Sequence, residues 1–187
     1  QDGADREQAG AQHRQSQERS IGERMTYIVD PRATVDAGSA LLPPKMTTDA
    51  SKRILMAIGF QESGWLTTVQ YGGGPAHGVL QFERGSGCRG VLTHPASKAL
   101  AEGLCASAGI PATAADVWTR LADVQHQDFA VAFGRLLLWT DAAALPPAIL
   151  ESEQAAWDYY KRNWRPGKPD RKRWTRSWSQ ALAVPLV

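Results

Sequence analysis

Cysteine is scarce in this chain: Cys88 and Cys105 are the only two among 187 residues. With no further thiols and no histidine cluster beside them they cannot assemble a tetrahedral zinc site, and His77, His94 and His126 fall at no metal-ligand spacing. No metal or other cofactor is therefore expected, and the two cysteines read as free, buried thiols of a protein made in a reducing compartment. Apolar runs are short, so no transmembrane segment is expected. Neither Gln1 nor Met25 opens onto a basic region, an apolar stretch and a small-residue cleavage site, so the expectation is synthesis in the cytoplasm without a secretory signal. An excess of charge is also missing: 21 Lys and Arg against 19 Asp and Glu leave +2, which argues against a dedicated nucleic-acid-binding protein. One further gap bears on chemistry. After Glu62 no Asp or Glu occurs until Glu83.

Residues 1–24 contain no aromatic and are dense in Gln, Arg, Glu, Asp, Gly and Ala. Such a composition cannot bury enough surface to offset the entropy of ordering, so a flexible arm is expected there and a single folded domain over 25–187. Within that domain, helices are expected over 96–108, stopped at Gly109, then over 114–122, 128–140 and 151–163. Phe129, Phe133, Leu136, Leu137 and Trp139 cover more than one face of the third of these, which marks it as the buried centre against which the Glu62 helix packs. Strand content is expected to be small. Residues 161–176 are crowded with Lys and Arg and interleaved with Trp164, Trp174 and, just beyond, Trp178. The basic C-terminal helices expected there have two readings: a surface for anionic polymers, or core tryptophans rimmed by solvated charge.

The most informative stretch is Ala57-Ile58-Gly59-Phe60-Gln61-Glu62-Ser63. Leu55, Ile58 and Glu62 fall at i, i+3 and i+7, one stripe of a helix that Thr47, Thr48 or Asp49 can cap and that Ser63-Gly64 can stop. Glu62 thus ends an apolar face. Drawn toward apolar surroundings, a carboxyl group loses hydration in its charged form, and the negative end of the helix dipole acts the same way. Its pKa rises, which suits a general acid that protonates a glycosidic oxygen. Downstream, Gly72-Gly73-Gly74-Pro75 and Gly78 form an open loop that is expected to deliver Val79–Phe82 as a short extended segment, with Gln81 and Glu83 on one face and Leu80 and Phe82 on the other. His77 sits in the same loop beside the presumed groove.

The order Gln61-Glu62-Ser63, a linker, then Gly78-Val79-Leu80-Gln81 resembles the Glu-Ser and Gly-Leu-Met-Gln signature of soluble lytic transglycosylases in the lysozyme-like superfamily. More narrowly, AIGFQESGW, GGPAHGVLQFE, RGVLTHPA, RLLLWTD and WDYYKRNWRPGKP resemble small lysozyme-like proteins of tailed phages and prophages, over nearly all of 46–174. The chain departs from the transglycosylase pattern where Asn-Pro is absent after the Glu-Ser pair and where Gln81 runs on into Phe-Glu-Arg-Gly. The resemblance implies a mainly α, lysozyme-like fold with a small extended or β segment lining a groove. It implies Glu62 as the catalytic acid, Ser63 as its support, Gln81 as a substrate-binding residue, and Tyr159 or Tyr160 as the late tyrosine of the pattern.

The implied substrate is peptidoglycan, cleaved at the β-1,4 bond between N-acetylmuramic acid and N-acetylglucosamine by a monomer acting on the cell wall, with phage virion proteins as further partners. Glycosidases that use water need a second carboxylate at roughly 5–10 Å. The gap after Glu62 instead favours a lytic transglycosylase, in which the muramic acid C6 hydroxyl attacks internally and one acid suffices. Two alternatives stay open: a hydrolytic muramidase with Glu83 as second acid, and a non-catalytic virion or peptidoglycan-binding component.

Overall fold

A computed structural model describes residues 27–186; the arm expected over 1–24 lies outside them. The described chain is mainly helical with one two-stranded sheet. Helix α1 (Pro31–Ala40) starts at Asp30, whose carboxylate accepts from the Ala33 amide at 2.7 Å. Of the three residues able to cap the Glu62 helix, Thr48 does so: its hydroxyl accepts from Ser51 N–H while Ser51 Oγ accepts from Thr48 N–H, a reciprocal capping box. Helix α2 (Asp49–Glu62) ends where Gly64 turns left-handed at φ +65°.

Strands β1 (Ala76–His77) and β2 (Phe82–Glu83) pair antiparallel, Ala76 opposite Glu83. The extended segment expected over 79–82 is instead a turn. Gly78 takes φ +78°, the Gln81 amide closes back on the Gly78 carbonyl at 2.9 Å, and Gln81 itself sits at φ +54°. Strand alternation therefore begins only at Phe82, and Val79 and Leu80 are both fully buried. A π-helical turn (Arg84–Cys88) leads into the short α3 (Arg89–Thr93). The next helix, α4 (Lys98–Ser107), begins later than Pro95 implies, because Ser97 is tied back into the preceding turn through its Oγ to the Val91 carbonyl at 2.7 Å. Helix α5 (Ala114–Ala122) follows as expected, capped by Thr113.

Helix α6 (Gln127–Trp139) is the buried centre, apolar nearly all round. The Glu62 helix does not chiefly pack on it. α1 covers α6, and α2 lies along the C-terminal helix α8 (Arg171–Ala183). The reason lies in α8, where Trp174, Ser177, Trp178 and Ala181 recur at helical spacing and are buried. Trp174 stacks on Tyr160 of α7 (Glu153–Trp164) with centroids 4.7 Å apart and planes 15° apart, and Trp157 and Trp178 extend the cluster. Trp174 and Trp178 are thus core, and the neighbouring Lys172 and Arg176 lie exposed around them. Cys88 and Cys105 are free and buried. No helix among the described residues is long and apolar enough to cross a membrane.

Close packing at the end of α2 rests on Gly59. A Cβ there would lie 2.4 Å from Cε2 of the fully buried Trp65. Gly59→Ala should therefore cost about 1–3 kcal/mol of stability through overpacking. Gly103 lies exposed inside α4, where a Cβ would meet no atom within 4 Å, and Gly103→Ala should gain about 0.5–1 kcal/mol from helix propensity. Urea unfolding of the two variants checks the pair; a neutral or stabilising Gly59→Ala would contradict this packing.

Candidate active site

The last turn of α2 opens into a groove of about 870 Å³. Glu62 lies in it, partly buried. Its lining comes from the β2 strand and the π-turn, from the end of α7 and the loop after it, and from Thr67, Gln70 and Tyr71.

Glu62 is held from behind. The Tyr160 hydroxyl donates to its Oε1 at 2.6 Å, and Tyr160 is 1% exposed. Burial raises the Glu62 pKa from 4.5 to about 7, opposed by the Tyr160 hydrogen bond and by the positive charge of Arg173. The same burial, together with the charge of Glu62, pushes the Tyr160 phenol upward, so it stays a donor. With Oε1 accepting from Tyr160, the neutral acid carries its proton on Oε2. Arg173 is fixed by donating from Nη2 to the Phe60 carbonyl at 3.1 Å, one of the carbonyls left without a partner at the helix end.

Of the two tyrosines the resemblance offers, Tyr160 is the one at Glu62. One residue along a helix is a rotation of about 100°. Tyr159 therefore faces away, donates to the Leu138 carbonyl at 3.0 Å and lines a separate cleft rather than the groove. Ser63 also lies outside the groove: 5% exposed, its hydroxyl donates to the Val79 carbonyl at 2.7 Å and accepts from the Trp65 amide at 3.0 Å. It clamps the end of α2 to the Gly78–Gln81 turn.

Gln81 does line the groove, its side-chain amide donating to the Gly78 carbonyl at 2.8 Å. Glu83 lines the same wall, exposed, accepting from Ser86 Oγ at 3.2 Å and forming no ion pair with Arg84 or Arg89. His77 is turned elsewhere. It stacks on Trp118 at 3.6 Å with Nδ1 2.9 Å from the Trp118 carbonyl.

Sequence reasoning missed Arg173, whose charge acts on Glu62 from a distant helix with no local signal. It also missed Trp164 as a groove residue. Its indole donates to the Leu80 carbonyl at 2.9 Å and packs edge-on to Phe82. The i, i+3, i+7 spacing of Trp157, Tyr160 and Trp164 is the signal that puts it on the face of Tyr160. Tyr71, 77% exposed at the groove end, had no such stripe. Among the described residues no group of three or more His, Cys, Asp and Glu is placed to hold a metal ion. No protein-family model matches the chain, and no curated protein or solved structure is significantly similar to it.

A carboxyl group whose pKa is raised by folding favours the folded state while protonated. The contribution is complete below pH 4.5 and is lost as pH rises through about 7. At about 1.4 kcal/mol per pKa unit its upper value is on the order of 3 kcal/mol. Glu62→Gln should therefore be more stable than the wild type at pH 8, by on the order of 2 kcal/mol, and equal to it near pH 4. Thermal unfolding across pH measures this; a variant less stable at pH 8 would contradict burial as the source of the shift.

Proposed function

We propose that this chain cleaves the β-1,4 bond between N-acetylmuramic acid and N-acetylglucosamine in peptidoglycan, acting as a lytic transglycosylase on a lysozyme-like fold. The observation that carries the reading is one carboxyl group, Glu62, in an open groove, with a pKa near 7 and a buried tyrosine on one of its oxygens. Near neutral pH a large share of Glu62 holds a proton on the oxygen that Tyr160 leaves unbonded.

In the first step that proton passes to the glycosidic oxygen as its bond to the muramic acid C1 breaks. Charge gathers on the carboxylate, where the Tyr160 hydrogen bond and Arg173 favour it. In the second step the Glu62 carboxylate takes the proton of the C6 hydroxyl as that oxygen bonds to C1, closing a 1,6-anhydro ring and restoring the neutral acid. No water is consumed. The attack gains the effective concentration of an intramolecular nucleophile. Gln81 on the groove wall is suited to sugar hydroxyl and acetamido groups. The resemblance to phage and prophage proteins assigns the activity to breaching a cell wall.

Glu83 supports a second reading. It lines the same groove, and a carboxylate there, placed to activate water, would make the enzyme a hydrolytic muramidase. Mass spectrometry of soluble products from purified sacculi separates the two. Products lighter by one water at the muramic acid end are expected, and Glu62→Gln should lower their rate by about 10²–10⁴-fold. Reducing-end products would establish the muramidase. Sacculi bound without release of fragments would support a non-catalytic component.

The pH dependence adds a check on Glu62 itself. Activity should fall above about pH 7 as the acid ionises. Tyr160→Phe removes a hydrogen bond that favours the charged form, so the fall should move to higher pH. A pH profile unchanged in Tyr160→Phe would contradict the role given to the tyrosine.

A further inference from the structure

The groove is electrically lopsided. The end of α7 and the loop after it bring Arg162, Arg165 and Lys168 to its lining, whereas β2 brings Glu83. Arg162 is already engaged: Nε and Nη2 both bond Asp141 Oδ2 at 2.8 Å. Arg165 and Lys168 have no carboxylate partner among the described residues and are exposed.

Arg165 also occupies a backbone position that disfavours it. It closes α7 at φ 49°, ψ 51°, the left-handed conformation in which glycine is the usual residue, with its amide donating to the Lys161 carbonyl at 3.1 Å. A strained residue that keeps a large cationic side chain on a groove wall points to a role for that side chain. Pro166 and Pro169 restrict the loop that holds it, and Trp164 pins the start of that loop to the Gly78–Gln81 turn through the Leu80 carbonyl.

We propose that Arg165 and Lys168 form a carboxylate-binding subsite that selects glycan strands whose stem peptides carry free carboxylates. This rests on the peptidoglycan reading above. The peptides hang from the lactyl group of muramic acid and carry free carboxylates, so a strand lying in the groove presents anions to one wall. The guanidinium and ammonium that the loop carries would meet them with charge-assisted hydrogen bonds.

The test uses soluble, uncross-linked, peptide-bearing glycan strands of matched length, with their stem-peptide carboxylates either free or converted to amides. The wild-type kcat/KM should be about tenfold higher on the strands with free carboxylates. In the double variant Arg165→Gly with Lys168→Ser the ratio should fall to about one. The melting temperature of Arg165→Gly alone should be no lower than that of the wild type, because glycine accepts the left-handed backbone; this separates lost recognition from lost folding. A wild-type ratio of one, or a ratio of ten kept by the double variant, would overturn the subsite while leaving the peptidoglycan reading intact. Cleavage of neither strand by the wild type would overturn that reading itself, and the subsite with it.

Discussion

The structure turns on the burial of one carboxyl group against one phenol. Glu62 sits where α2 ends and the groove begins, and the Tyr160 hydroxyl reaches it from α7. That hydroxyl is where it is because the Tyr160 ring is stacked on Trp174, and Trp174 is where it is because α8 lays its tryptophan stripe along α2 and α7. Three helices distant in sequence therefore fix a single 2.6 Å contact. Burial and hydrogen bonding pull the Glu62 proton in opposite directions, and burial wins. The outcome is an acid poised near neutrality rather than one locked in either form.

The surroundings of this contact carry the local cost of that arrangement. Among the described residues three non-glycine positions adopt left-handed backbone, Trp65, Gln81 and Arg165. Gln81 and Arg165 both line the groove, and Trp65 follows Glu62 by three residues, its indole filling the space that Gly59 leaves. Each such residue costs on the order of 1 kcal/mol or more and persists only where packing over-determines it. Here the packing is visible. Ser63 clamps the end of α2 to the turn that carries Gln81, and Trp164 ties the loop that carries Arg165 to that same turn.

Much of the fold and part of the site were legible in the sequence because they rest on local chemistry. The α2 boundaries followed from a capping threonine and a terminal glycine, and α5 and α6 from apolar periodicity. The raised pKa of Glu62 followed from its place at the end of an apolar stripe. What was not legible depends on contacts between distant segments. The choice of Tyr160 over Tyr159 is decided by helix rotation relative to Leu138 and Glu62, and Arg173 arrives only once α8 docks. The Val79–Phe82 segment misled because Leu80-Gln81-Phe82-Glu83 alternates like a strand, whereas Gly78 starts a turn that buries Val79 and Leu80 together.

The chemistry proposed for this groove depends on the proton held by Glu62. Carboxyl carbon NMR, with Glu62→Gln used to assign the resonance, follows that proton directly as pH is raised. The expected midpoint is about 7. A midpoint at the ordinary glutamate value of about 4.3 would mean a hydrated, ionised side chain at neutral pH and would contradict the single-acid mechanism.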